Sequence, residues 1–574
     1  MINENIKFDP IQVEVWRHLL AAVAEEMGVT LERTAYSPNI KERLDHSCAL
    51  FDAEGRLLAQ AAHIPVHLGA MPLMIQALRT RIVWQPGSMW LCNDPRLGGT
   101  HLPDITLIAP VYAKAEVKIT KNSEKEGSQK ASQLTSSDLS ADLLGFVACR
   151  AHHADIGGLS PGSLPLSTEA FHEGLILPPL CLVENGHTRQ DVLELVCANS
   201  RTPNERRGDL SAQIAASETG IRRFQALVSE QGRDVFDKRV RENIAYAANA
   251  VRQILKTVPA GIYKAEDVLD DDGAGNTDVR IAVTMTVTGE GEISFDFSGS
   301  APQVKGSLNA TEAITRSACY YIVRCLVEEE IPTNEGCFLP VHVIAPPGTV
   351  VNARFPAAVA AGNVETSQRI VDVLLRALAL AIPERIPAAS QGTMNNMTIG
   401  GYDAGRDHPF AYYETIAGGA GASPLGAGES GVHTHMTNTR NTPVEALETH
   451  YPLQVLAYAL AEGTGGEGKY QGGDGIIRRI QLLCDCRVSL LTERRIHPPF
   501  GAQGGLPGTV GSNRLEWPDE NEELKNELSK TEKQELGNIE ILPGKWSADC
   551  AAGTILTLTT PGGGGWGRLQ TSEK

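Results

Sequence analysis

Two runs of almost unbroken apolar residues, Ile105-Thr106-Leu107-Ile108-Ala109 and Leu143-Leu144-Gly145-Phe146-Val147-Ala148-Cys149, constrain this chain more than any other feature. Their length and flanking turn residues fit buried strands. The loop Asn93-Asp94-Pro95-Arg96-Leu97-Gly98-Gly99-Thr100-His101-Leu102-Pro103-Asp104 runs straight into the first. Arg150-Ala151-His152-His153-Ala154-Asp155-Ile156-Gly157-Gly158 leaves the second, and its paired glycines permit a backbone turn that side chains oppose. If the two strands are neighbours, both polar clusters meet at one mouth. Residues 113–142, which separate them, are rich in Lys, Glu, Ser and Gln and cannot bury a core. They read as a disordered, solvent-facing extension that leaves the strand ends in place.

Asp9 can cap and Pro10 open a helix whose Ile11, Val15, Leu19, Val23 and Met27 recur every four residues, with Gly28 placed to end it. A second helix is expected over 365–382, stopped by Pro383. A hairpin is expected where Val279, Ile281, Val283, Met285 and Val287 alternate, Gly289-Glu290-Gly291 turns, and Ile293, Phe295 and Phe297 alternate back. Helices and strands are interspersed without a strict βαβ rhythm, so the expected class is α/β in the mixed α+β sense. A chain of 574 residues exceeds what one core supports, and several domains follow. The expected division is an N-terminal region over 1–215 carrying the polar clusters, a central α+β region over 216–390, and a Gly-rich, β-heavy region over 391–574 with a second polar insertion at 518–537.

Lys and Arg number 51 against 69 Asp and Glu, a net charge of −18 that argues against nucleic acid or anionic lipid as the main partner. No apolar run approaches the roughly 20 residues needed to span a bilayer, and the N-terminus lacks the regions of a signal peptide, so a cytoplasmic protein is expected. Eleven cysteines without a Cys-x-x-Cys pair read as reduced, mostly buried thiols.

His101, Asp104 and His152 offer two imidazole nitrogens and one carboxylate oxygen, a set that leaves positions on a divalent metal open for water or substrate. Zinc, manganese and iron all suit it. The competing reading is that His101 and Asp104 close the loop by hydrogen bonds while His152 is a satisfied buried histidine. His153 and Asp155 flank His152, and either orient it or act as general base toward a coordinated water. Arg150 and Arg96 either clamp a substrate carboxylate by two-pronged hydrogen bonds or neutralise nearby acids. In Gly431 to Asn441, alternating His433, His435 and Thr437 would share one strand face lining a pocket or interface, and Arg440 suits an anion clamp; a polar strand edge is the alternative. His63-Ile64-Pro65-Val66-His67 has zincin spacing, but Ile64 stands where the catalytic Glu belongs and Pro65 forbids a regular helix, so hydrogen-bonded loop histidines are expected, with a place in the lining of the site as the lesser alternative for either. Asp45 and His46 face either a pocket or a turn. Gly463 to Lys469 imitates a phosphate-binding loop, yet Tyr470 stands where Ser or Thr must hold magnesium. A glycine-rich turn is expected there, and any ATP chemistry must come from another polypeptide.

Asn93-Asp94-Pro95, the segments Gly98 to Asp104 and Arg150 to Gly158, and His433-Thr434-His435-Met436-Thr437-Asn438-Thr439-Arg440 together resemble the hydantoinase B and 5-oxoprolinase family, which includes the larger subunit of acetone carboxylase. The likeness runs almost end to end. It implies the B portion of an ATP-dependent hydrolase of 5-oxoproline or a hydantoin, with ATP and magnesium on a hydantoinase A-like partner in a hetero-oligomer. By the same resemblance His101, Asp104 and His152 match the positions that hold the metal. Two other readings are an acetone- or acetophenone-type carboxylase component and a non-catalytic assembly partner. Asn441-Thr442-Pro443-Val444-Glu445 departs from the Ile-Thr-Asp-Pro-Glu usual in oxoprolinases, and the 113–142 stretch is longer than the family leads one to expect.

Overall fold

The computed structural model describes residues 8–62, 64–113, 143–518 and 539–569. Apart from Ala113 and Pro518, the two expected insertions lie outside these residues, as does His63. The Asp9 carboxylate accepts the Ile11 and Gln12 N–H groups at 3.1 and 3.4 Å and opens helix α1 (Pro10–Thr34). The helix does not stop at Gly28. Leu31, one turn further on, is fully buried, and that burial favours continued helix over a glycine cap.

The first sheet comprises β1 (His46–Asp52), β2 (Leu57–Ala62), β3 (Met89–Cys92), β4 (Asp104–Tyr112), β5 (Leu143–His152), β6 (Leu180–Glu184) and β7 (His187–Thr188). Its order is β2-β1-β5-β4-β3-β6-β7, antiparallel throughout, so the two apolar runs are indeed neighbours. Both faces are covered, which is why the runs are continuous rather than alternating. Ile105, Leu107, Val147 and Cys149 pack on the side of α1 and helix α3 (Pro203–Gln231), while the short helix α2 (Pro38–Lys41) lies between α1 and β1 in the chain. Ile108, Phe146 and Ala148 face the opposite side, towards helix α4 (Arg233–Leu255), helix α5 (Glu312–Cys325) and helix α6 (Ser367–Ala381). The expected boundary near residue 215 falls inside α3, which continues across it because Ala212, Ala216, Phe224 and Leu227 form one buried stripe.

The expected hairpin is β9 (Thr277–Val287) with β10 (Ile293–Asp296), flanked by β8 (Gly261–Asp271) and β11 (Val341–Ile344). Only β10 and β11 pair in parallel among the described strands. The helix expected over 365–382 is α6, preceded by a π-helical turn over Gly362–Thr366. The C-terminal third is β-heavy. It holds a sheet of β12 (Asn396–Asp403), β13 (His408–Glu414), β16 (Cys486–Leu491) and β19 (Lys545–Cys550), and another of β14 (Leu453–Ala461), β15 (Gly475–Leu482), β17 (Ser512–Glu516), β18 (Ile539–Leu542) and β20 (Ile555–Thr559).

Beside them Gly562 to Gly565 threads between other glycine-rich segments: Gly563 N–H donates to Gly473 O at 2.9 Å, and Gly466 N–H donates to Gly563 O at 2.8 Å. A Cβ on Gly563 would lie 2.0 Å from the Ala420 carbonyl oxygen, so only glycine permits this packing. The phosphate-loop mimic belongs to this layer. Among the described residues no helix is long and apolar enough to cross a membrane, and the cysteines are all unpaired.

Candidate metal centre

Asp104 is the first residue of β4 and His152 the last of β5, and the two are directly opposed across the strand pair. His101 lies one turn before Asp104, whose N–H donates to the His101 carbonyl at 3.2 Å. All three side chains are buried, with one ligand atom from each lying within 4.8 Å of the others. The His101 and His152 ring centroids are 4.9 Å apart, and His101 Nε2 lies 3.2 Å from Asp104 Oδ1. Asp104 Oδ1 and His152 Nε2 accept no hydrogen bond among the described residues. Buried polar atoms without partners are costly. An unpartnered nitrogen and an unpartnered oxygen converging with the His101 Nε2 fit a divalent cation.

Each of the three is held from outside. Thr100 Oγ1 donates to Asp104 Oδ2 at 2.5 Å, and His67 Nε2 lies 3.4 Å from the same oxygen while its Nδ1 contacts Ser47 Oγ at 3.0 Å. Asn39, in α2, reaches His152 Nδ1 at 3.4 Å, and the His152 ring stacks on Tyr413 of β13 with centroids 4.8 Å apart. The Asn363 amide, in the π-helical turn, is 3.1 Å from His101 Nε2. Burial alone would lower the His101 pKa, but the Asp104 carboxylate outweighs it and holds the value above normal. Burial would raise Asp104, but His101 and His67 hold it well below the carboxylate range. His152 is pushed well down by burial and by His101. Asp45, raised to about 6 by burial and then by Asp104, completes a cavity of about 20 Å³ walled also by His67, His152, Asn363 and Tyr413. That is room for about one water.

Several expected site residues lie elsewhere. His153 faces the other side of the sheet: its Nδ1 accepts from Arg206 at 2.5 Å and its Nε2 pairs with Gln213 Oε1 at 3.0 Å, so no free lone pair is left for a general base. Burial, then Arg206, lowers it to about 4. Asp155 organises its own loop. Its oxygens accept from the N–H groups of Gly157, Gly162 and Arg201 and from the Arg201 guanidinium, at 2.9 to 3.2 Å. Arg150 is buried and donates to Thr106 Oγ1 and the Gly98 carbonyl, bracing the loop before His101 instead of facing a substrate. Arg96 is spent on Asp94 and lies over the Phe355 ring at 4.5 Å.

His433 and His435 line an open depression of about 540 Å³ outside the cavity, and Thr437 lines both. The segment is not a strand, and His435 has φ +59°, so the expected alternation is replaced by an irregular loop. The His433 ring nitrogens and His435 Nε2 have no hydrogen bond among the described residues. Arg440 is exposed, its N–H donating to the Arg43 carbonyl at 3.0 Å.

Sequence reasoning missed the roles of Asn39, Asn363 and Tyr413, whereas His67 is the hydrogen-bonded loop histidine expected and also lines the cavity. Pro65 opens the short turn Pro65–His67 that carries it inward.

The family described as Hydantoinase B/oxoprolinase matches residues 9–569. The chain is 37% identical to 5-oxoprolinase 1 of Arabidopsis thaliana over 98% of its own length, and spans 42% of that protein. It is 30% identical to the B component of a putative D-/L-hydantoinase of a Pseudomonas species, covering 99% of this chain and 91% of that one. The crystal structure of an ATP-dependent caprolactamase from Pseudomonas jessenii superposes with a TM-score of 0.84 at 25% identity, over 98% of this chain and 92% of that chain.

Proposed function

Because this chain belongs to the hydantoinase B/oxoprolinase family, we propose that it is the B portion of an ATP-dependent cyclic-amide hydrolase acting on a 5-oxoproline- or hydantoin-type ring. Its partner is a hydantoinase A-like protein that binds ATP and magnesium, in a cytoplasmic hetero-oligomer. The near-complete match to a protein named as the B component of a hydantoinase supports a separate partner. The observation that carries the reading is the convergence of His101, Asp104 and His152, buried and with unpartnered atoms.

An unstrained lactam resists water because nitrogen donates into the carbonyl. Phosphorylation of the carbonyl oxygen by the partner removes that donation and creates a leaving group. A divalent ion of the zinc, manganese or iron class on His101, Asp104 and His152 supplies Lewis acidity, worth several kcal/mol. Water adds to the carbonyl carbon, the ring C–N bond breaks as the nitrogen gains a proton, and a second water then cleaves the resulting acyl phosphate to carboxylate and inorganic phosphate. With His153 and Asp155 engaged elsewhere, Asp45 is placed to take the proton from water. It lines the cavity. A lactam exceeds the present cavity, so the wall of Ile64, Val66, Met436 and Thr437 must shift, and His433 and His435 border its outer side.

The test is ATP-coupled ring opening with the partner present. His101→Ala and His152→Ala proteins that fold normally should each lose about 100-fold or more in rate. Full activity in both would overturn the proposal.

A further inference from the structure

Two buried polar atoms beside the centre lack a hydrogen bond and belong to groups of opposite charge: Nδ1 of His101 and Oε2 of Glu173. Both side chains are fully buried. The other oxygen of Glu173 accepts from Ser167 Oγ at 2.7 Å and from the N–H groups of Val359 and Ala360 at 2.8 and 2.9 Å. Those N–H groups open the helical segment that continues into the π-helical turn. Asn363, about one turn beyond Ala360, is the residue that reaches His101 Nε2. Glu173 and His101 therefore both contact this one turn, Glu173 at its opening N–H groups and His101 at the Asn363 amide. Each also favours the charged form of the other. His101 turns Nε2 towards Asp104, so Nδ1 points away from the position an ion would take.

An imidazole that binds metal through one nitrogen carries its proton on the other. Handing that N–H to a carboxylate fixes the tautomer and ring orientation and raises ligand basicity. We propose that Glu173 plays this part for His101: a positioning residue whose Oε2 receives the Nδ1–H, directly or through one ordered water, when a divalent ion is bound. The assignment rests on the metal reading above. It also gives the residue 159–175 loop a purpose, since its one buried carboxylate would tie the first sheet's ligand to the turn that carries Asn363.

The experiment titrates the chelator-stripped full chain with Zn²⁺ alone, in competition with a chelating dye. Glu173→Gln keeps an oxygen for Ser167, Val359 and Ala360 and removes the charge. It should weaken Zn²⁺ binding by about 10- to 100-fold while metal-free melting stays close to wild type. Ser167→Ala perturbs the loop but leaves Oε2, and should bind as wild type does. Glu173→Asp serves if the Gln protein fails to fold, with a weakening of about threefold or more. Wild-type affinity in a folded Gln or Asp protein would overturn the assignment, as would equal losses in Ser167→Ala and Glu173→Gln. Absence of binding to wild type would sink the metal reading itself, and this inference with it.

Discussion

His152 and His153 are adjacent in sequence but serve opposite faces of the first sheet, as the two-residue period of a strand requires. His152 shares a face with Asp104, towards the cavity, while His153 enters the α3 side and meets Arg206 and Gln213. Removal of the His153 imidazole should therefore cost stability rather than chemistry. His153→Ala should lose about 2–4 kcal/mol, because Arg206 and Gln213 lose a buried partner, while still binding metal.

The native pKa of His153, about 4, lies below its ordinary 6.5. The unfolded chain then binds the proton first as the solution is acidified. The wild-type advantage over the variant should be complete above about pH 6.5 and shrink by on the order of 3 kcal/mol as pH falls to about 4. Denaturant melts of both proteins across that range check it; an advantage that is constant or grows in acid contradicts it. Residue spacing exposed His101, Asp104 and His152, because both clusters sit at ends of recognisable strands. The same strand logic would have separated His153 from His152 had the strand end been known to reach His152. Asn363 and Tyr413 come from elements hundreds of residues away, and only tertiary packing brings them in.

Among the elements, the apolar runs, the hairpin and the helix before Pro383 were legible because one physical preference dominates each. Gly28 misleads because burial of Leu31 outweighs the local signal for a helix end. The His433 segment reads as alternating, but it is held as a loop by contacts such as Gln368 Nε2 donating to the Thr434 carbonyl at 3.0 Å. The glycine-rich layer has a sharper consequence. Gly563→Ala places a methyl against the Ala420 carbonyl and should destabilise by several kcal/mol or prevent folding, whereas Gly426→Ala, where a Cβ meets nothing within 4 Å, should melt close to wild type. Equal melting of the two proteins would show that the close glycine packing is not required.

Across the whole molecule, the centre lies where separate parts of the chain meet. The first sheet supplies His101, Asp104 and His152; the turn before α6 supplies Asn363; β13 supplies Tyr413. A buried ionic network ties α6, which follows the Asn363 turn, to β8 and the C-terminal third. Arg494 of the C-terminal third pairs with Asp267 of β8 and Asp372 of α6 at 2.9 and 2.5 Å, and Arg369 of α6 pairs with Glu493 at 3.2 Å. Breaking such pairs one partner at a time is strongly unfavourable, so the helix that leads out of the Asn363 turn is held in place. The proposed centre needs three donors at one end of two neighbouring central strands to share an ion, and metal analysis of purified protein after reconstitution tests that most directly. It predicts about one divalent ion per wild-type chain, none in the His101→Ala/His152→Ala double variant, and retention in His153→Ala. A full equivalent in the double variant, or none in wild type, would contradict it.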